Sequence, residues 1–217
     1  IIVVDNASTD RTIEIARGHT PHVSQRPFDG YGPQKQAAVD RACGEWILSI
    51  DADERVTPEL ASEIRGALSG SPSQTGFEIP FEIRFMGGAL RFGGLGDERH
   101  LRLFRKSAGR FSGDIHEEIG VEGSVGRLRG RMIHIPYHDI DEYLDKMSFY
   151  TTLAAKKRRD QGIRFTPLHC LLPAWEFFVR SVVRLGALDG IPGLVWAALS
   201  SFHTGIKYLK LRELERK

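Results

Sequence analysis

The sequence predicts an α/β fold: a mixed sheet flanked by helices, followed by a helical tail. Three observations carry that expectation. Over the first seventy residues, short apolar runs alternate with helical patterns, as in βαβ units that build a parallel sheet. After Gly70 the pattern changes to strand-like alternation in "TGFEIPFEIRF", "RHLRLFRK" and "GRLRGRMIHIPY", which predicts antiparallel strands added to the parallel sheet. Beyond Asp139 the chain reads as a long helix and then two apolar helices around the turn "LDGIPG".

Each element has its own signals. "IIVV" is a β-branched run suited to a buried strand and ends at Asp5. Ser8, Thr9 and Asp10 are candidate caps for a helix that Gly18 would stop. "HVSQ" is a short second strand, and "GYGPQKQAAVDRACGEW" a loop and helix with Pro33 near its start and Gly44 past its end. "WILSI" is the next strand. In "TPELASEIRGALSG", Thr57 is the expected N-cap, Pro58 occupies the first turn and Gly70 closes the helix. Asp139 caps the long helix, which Gly162 ends.

Composition narrows the function classes. The 217 residues suffice for one large domain or a domain with an appendage, and 41% hydrophobic with 27% charged residues is a globular balance. A net charge of +2, with basic residues scattered, argues against nucleic acid as a partner. Two cysteines, Cys43 and Cys170, make neither a disulfide framework nor a zinc pattern. No signal peptide is visible, and the sequence opens on a strand already under way, as a fragment would.

The densest chemical signal is "EWILSIDADERVTPEL", where an apolar run ends in Asp51, Asp53 and Glu54. Clustered carboxylates repel one another and resist desolvation, so a positive partner is expected beside them. In open α/β sheets ligands bind beyond the carboxyl ends of strands, where Asp5 and the "DAD" triplet both fall. Asp51 and Asp53, two residues apart, would point the same way if strand geometry persisted. Paired oxygens suit a hard cation, Mg²⁺ or Mn²⁺, carrying a nucleotide diphosphate. A solvated acidic loop is the bland reading, since D-x-D alone is a common pattern.

These residues resemble a known family. "IIVVDNASTDRTIEIA" and "GPQKQAAVDRACGEWILSIDADERVTPEL" are similar to family 2 glycosyltransferases of the GT-A fold. The likeness continues through "HLRLFRK", "DIHEEI" and "GALDGIPGLVWAALSSFHTGIKYLKL", in the manner of lipopolysaccharide core enzymes of the β-1,4-glucosyltransferase branch. It implies a catalytic domain over residues 1–162, lacking the family's first strand and helix, and a membrane-interface tail over residues 163–217. Asp5 would bond the nucleotide base. Asp51 would approach the ribose or the metal, and Asp53 would bind the metal directly. Lys35 or Gln34 could meet the nucleotide or diphosphate, and His134 could complete the metal site, although a lone His on an apolar strand is more often structural.

An inverting transfer needs a base to take the acceptor proton. In "DIHEEI", the resemblance favours Glu117 as base with His116 nearby on phosphate or metal; Asp114 is the runner-up, and a polar surface loop is the plain alternative. Arg102 and Arg105 could clamp the diphosphate or a phosphorylated acceptor, or be ordinary strand-surface charges. Glycines 87, 88, 93, 94 and 96 lack the strand-to-helix context of a phosphate loop and are expected to shape a mobile acceptor loop. In the tail, Trp175, Phe177, Phe178, Trp196 and Phe202 stand among cationic residues, while "IPGLVWAALSSF" is too short to span a bilayer. The tail therefore suits the membrane interface, with a packed helical hairpin as the ordinary alternative. The expected partners are a nucleotide diphosphate sugar, such as UDP-glucose, and a lipid-linked saccharide at the cytoplasmic face of the bacterial inner membrane. Rival readings are transfer to a polyprenyl phosphate and a non-catalytic membrane-attached binding module.

Overall fold

The computed structural model describes residues 1–96, 98–113 and 118–216, and nothing of the Glu118 side chain. The chain forms two compact units. One comprises residues 1–52, 56–80 and 99–131; the other comprises residues 53–55, 81–98 and 132–217. The second unit thus joins the tail to the long helix and to strand segments from the middle of the chain, rather than beginning at residue 163.

In the first unit, β1 (Val3–Asp5) pairs in parallel with β2 (Val23–Gln25), with Asp5 opposite Gln25. Between them runs α1 (Thr12–His19), whose start is held by the Asp10 carboxylate accepting from the Thr12 N–H at 2.9 Å. Helix α2 (Tyr31–Arg41) starts after Gly30, at φ 123°, two residues before the expected Pro33. Strand β3 (Trp46–Leu48) pairs antiparallel with β7 (Arg99–Arg105), so that Leu48 faces Leu103. The long strand β5 (Gly76–Phe85) gives residues 76–80 to this unit, antiparallel to β7 with a bulge between Phe77 and Glu78. Its other edge takes β10 (Val125–Arg127) in parallel. A separate hairpin joins β8 (Gly109–Ser112) to β9 (Glu118–Val121). Val39, Phe104 and Phe111 pack together beneath Ile47, Ile119 and Val121. Helix α3 (Pro58–Ser69) is capped as its sequence predicts: Thr57 Oγ1 accepts from the Leu60 N–H at 3.2 Å, a contact of about 1 kcal/mol.

In the second unit, β5 residues 83–85 pair antiparallel with β6 (Gly88–Leu90), while residues 81–83 pair in parallel with β11 (Met132–His134). Strand β4 (Glu54–Val56) is the next neighbour of β11. Helix α4 (Ile140–Asp160) is capped by Asp139, whose Oδ1 accepts from the Glu142 N–H at 2.8 Å. The tail runs through a 3₁₀ turn (Pro167–Leu171), α5 (Leu172–Phe178), a π-helical segment (Val179–Val183), a second 3₁₀ turn (Gly186–Asp189) and α6 (Gly190–Leu214). Ile83, Phe85 and Leu90 form a core with Leu95, Tyr137, Val195, Trp196 and Leu199, which seats α6 on the strands. The hairpin bend depends on two glycines. A Cβ on Gly193 would stand 2.0 Å from the Gly186 carbonyl oxygen, and one on Gly186 would stand 2.6 Å from that of Arg180.

The glycine loop after β6 is anchored, not free. The Asp189 carboxylate accepts from the N–H groups of Arg91 (3.0 Å) and Phe92 (2.9 Å). The Gly93 N–H donates to the Arg184 carbonyl at 2.8 Å, and Arg180 Nη1 donates to the Gly93 carbonyl at 3.3 Å. Gly93, at φ 69°, turns the chain for these contacts. The expected mobile loop is therefore strapped to the tail hairpin by backbone bonds.

Candidate nucleotide and metal sites

The first unit carries the residues expected to meet a nucleotide. Asp5, at the end of β1, is buried and bonded both within a local turn and to β2. Its Oδ2 accepts from the Ser8 N–H at 2.8 Å and from Gln25 Nε2 at 3.2 Å, and its Oδ1 accepts from Ser8 Oγ at 2.5 Å. The Ser8 hydroxyl, more than any other contact, holds this carboxyl below the usual aspartate range. A carboxylate offers about four acceptor positions, so these bonds fix its orientation and leave one for a ligand N–H. Nothing in the sequence marks Gln25 as a partner of Asp5. Ser8 was readable only as a cap, although a serine three residues after an aspartate at a strand end also signals an Asx-type turn.

Gln34 lies on the same helix as Lys35. Its Nε2 donates to the Val4 carbonyl at 3.4 Å, and its buried Oε1 accepts no hydrogen bond among the described residues. An orphaned buried amide oxygen is costly and fits a site completed by a ligand donor.

Asp51 already has positive partners within the chain. Lys35 Nζ lies 2.6 Å from its Oδ1 and 2.9 Å from its Oδ2, and Arg102 Nη2 donates to Oδ2 at 2.9 Å. The side chains of Lys35 and Arg102 are 15% and 12% exposed, that of Asp51 31%. Helix α2 supplies the lysine and β7 the arginine. Both are aligned because β3 pairs with β7 and the Ser49 N–H donates to the Arg102 carbonyl at 2.8 Å. Two side chains of the same unit thus compensate the charge of Asp51.

Arg105 does not join Arg102. Three residues along a strand put the two on opposite faces, and Arg105 pairs with Glu45, stacks at 4.8 Å over Trp46 and donates to the Pro72 carbonyl at 3.3 Å. A further cleft of about 320 Å³ opens between α2 and β8, lined by Arg26, Gln36, Asp40, Arg110 and Gly113 among others. Gly32 closes the backbone approach there: a Cβ would stand 2.2 Å from the Gly113 carbonyl oxygen. Asp114, His116 and Glu117, which follow Gly113, lie outside the described residues.

The second unit holds the other expected metal residues. Asp53 Oδ2 and His134 Nε2 are 3.3 Å apart. The Ile135 N–H donates to the Asp53 carbonyl at 2.9 Å, so the pairing of β4 with β11 sets the two side chains in register. The contact with Asp53 raises the His134 pKa above its ordinary 6.5, and the contact with His134 depresses that of Asp53. Among the described residues no group of three or more His, Cys, Asp or Glu side chains is placed to hold a metal ion. One carboxylate and one imidazole are an oxygen–nitrogen donor pair that a divalent ion such as Mn²⁺ accepts, with its other positions filled by ligand oxygens and water.

Residues 1–74 match the model of glycosyl transferase family 2. Over 227 residues the chain is 28% identical to the lipopolysaccharide core biosynthesis glycosyltransferase LpsC of Rhizobium meliloti, covering 99% of this chain and 84% of LpsC. Over 232 residues it is 28% identical to an uncharacterised glycosyltransferase of Rickettsia typhi, RT0209, covering all of this chain and 79% of that protein. Among solved structures, S. aureus TarS residues 1–349 in complex with UDP-GlcNAc aligns with 99% of this chain and 82% of its own, at 14% identity and a TM-score of 0.45. The segment that carries Asp5 and Asp51 thus matches glycosyl transferase family 2, and the chain is similar to glycosyltransferases from end to end.

Proposed function

We propose that the protein moves a sugar from a nucleotide diphosphate donor, UDP-glucose or a close analogue, to a hydroxyl of a lipid-linked saccharide such as the lipopolysaccharide inner core, with inversion. The observation that carries this reading is the Lys35–Asp51–Arg102 cluster, which holds two nearly buried cations around an acid of the segment that matches family 2. Such cations, oriented in advance, stabilise negative charge gathering on a departing diphosphate without reorganising during the reaction. The acceptor class follows from the likeness to LpsC.

Asp5 takes the nucleobase N–H at its remaining acceptor position, and the orphaned Gln34 oxygen accepts from the nucleoside. Lys35 and Arg102 face the diphosphate, with Asp51 keeping them in place. Asp53 and His134 would hold Mg²⁺ or Mn²⁺, which would supply Lewis-acid charge neutralisation. Glu117 accepts the acceptor's proton as its oxygen bonds to the anomeric carbon and the bond to the diphosphate oxygen breaks; His116 is assigned to phosphate or metal, and Asp114 is the second candidate base.

The tail supports a membrane-bound acceptor at the cytoplasmic face. Leu168, Leu171, Trp175, Phe178, Val182 and Leu185 recur at helical spacing and are all exposed, Leu168 at 72% and Trp175 at 61%. Among the described residues no single helix is long and apolar enough to cross a membrane; Pro167–Val183 and Gly186–Leu214, bent by 70°, reach that length and composition only together.

The test is transfer from UDP-glucose to a truncated lipopolysaccharide core and, in parallel, to a polyprenyl phosphate, for the protein and for Glu117→Gln. Saccharide transfer that falls about a hundredfold or more in the variant supports the reading. Transfer to the polyprenyl phosphate alone, indifferent to Glu117, would replace it, because a phosphate acceptor is already anionic.

A further inference from the structure

The end of the second unit where α4 meets α6 concentrates positive charge on aromatic rings. Arg158 lies 5.4 Å and Lys207 5.0 Å from the centroid of Tyr208. His169 stacks on the same ring at 4.2 Å and 16°. Arg212 lies 5.3 Å over Phe165, which in turn packs at 5.8 Å against His169. Lys210 is locked beside them by neutral oxygens, donating to the Ser148 carbonyl at 2.7 Å and to Thr152 Oγ1 at 2.8 Å.

Among the described residues no carboxylate lies within ion-pair distance of Arg158, Lys207, Lys210 or Arg212. The neighbouring acids are used elsewhere: Glu215 accepts from the Phe165 N–H at 2.7 Å, and Glu176 pairs with Arg180 at 2.6 Å. A solvated basic face needs no anion, but Arg158, Lys207 and Tyr208 are half-buried. Two like charges partly withdrawn from water over one ring repel more strongly than on an open surface. Burial pushes the Lys207 pKa down first and Arg158 pushes it further, with the Glu176 carboxylate offsetting part of the shift. His203, nearby, is likewise lowered by burial and then by Lys207, Arg180 and Arg158, against a smaller opposing pull from Glu176.

We propose that Arg158, Lys207 and Arg212, framed by Tyr208, Phe165 and His169, form a phosphate-binding site built from none of the residues assigned to the donor. Two guanidinium groups and an ammonium match the several oxygens of a phosphate mono- or diester, and the ring stack holds the cations in place when the anion is absent. The chemistry is shared by a free phosphate group and the headgroup of an anionic lipid.

The experiment follows the His203 imidazole by NMR while inorganic phosphate is added to the protein, and measures co-sedimentation with phosphatidylglycerol vesicles against phosphatidylcholine vesicles. Phosphate should shift the His203 resonance and raise its titration midpoint, since an anion cancels the cations that depress it. Arg158→Gln with Lys207→Gln should weaken binding about tenfold or more, whereas the charge-preserving Lys207→Arg should retain it. If the double variant fails to fold, rising salt on the unaltered protein should weaken the response instead. Preference for phosphatidylglycerol vesicles that is lost with the charges identifies a lipid headgroup. Saturable phosphate binding without vesicle preference identifies a free phosphate group. A His203 signal indifferent to phosphate, with equal sedimentation on both vesicles, overturns the proposal. None of these residues belongs to the donor site, so sugar transfer and this binding can fail independently.

Discussion

Replacing Asp51 by asparagine tests whether the acidic strand end is organised by Lys35 and Arg102. Asparagine keeps the shape and one acceptor oxygen but removes the charge that two nearly buried cations face at 2.6 and 2.9 Å. Removing one member of a fully buried ion pair costs about 3–5 kcal/mol, because the partner is left uncompensated. Asp51 keeps roughly a third of its exposure, and water can reach the cations once the carboxylate is gone. The expected loss is therefore about 2–3 kcal/mol, which in a chain of this size lowers Tm by about 4–12 °C. A double-mutant cycle makes the assignment specific: Lys35→Met with Asp51→Asn should cost about 1–2 kcal/mol less than the two single changes added. Urea unfolding of the four proteins supplies the numbers. An Asp51→Asn variant within about 0.5 kcal/mol of the parent, the range of an ordinary surface change, refutes the reasoning.

Other expectations follow from the same contacts. The Asp53–His134 pair is most favourable to folding between about pH 3.8 and 6.5. Below that window stability is lost as Asp53 protonates through its lowered folded pKa; above it, as His134 deprotonates through its raised one. A divalent ion needs neutral imidazole, so Mn²⁺ affinity should climb as pH rises above 6.5 and lose that slope in His134→Gln; affinity flat from pH 6 to 8 would contradict a His134 ligand. Asp189→Ala should speed hydrogen exchange at the Arg91 and Phe92 amides about tenfold, and unchanged protection would show that the loop does not depend on this strap. Gly32→Ala forces a methyl against the Gly113 carbonyl and should destabilise by about 1–3 kcal/mol in thermal melts, with a neutral result placing that backbone elsewhere.

Local signals were legible in the sequence because they act over a few residues. Thr57 and Asp139 cap the helices they were expected to cap, and β2 forms at "HVSQ". What stayed hidden depends on pairing between distant segments. Asp51 could be read as an acid wanting a positive partner, but that the partners are Lys35 and Arg102, 16 and 51 residues away, follows only from the β3–β7 register. Likewise, the resemblance pointed to His134 as a metal residue without showing that β4 and β11 bring it to Asp53. Arg105 was coupled to Arg102 by spacing along the chain, although the period of a strand separates them. The glycine loop read as mobile because the bonds that anchor it come from Asp189 and Arg184, nearly one hundred residues later, and use backbone groups that leave no mark on composition.

The most direct test of the account is calorimetric titration of UDP, with ADP and GDP as controls, with and without Mn²⁺, on the protein and on Lys35→Met and Asp53→Ala. The account predicts UDP binding that is selective over the other diphosphates, strengthened by Mn²⁺, weakened about tenfold or more by Lys35→Met and stripped of its metal dependence by Asp53→Ala. A folded protein that binds none of the three nucleotides, or binds them identically in all three forms, contradicts it.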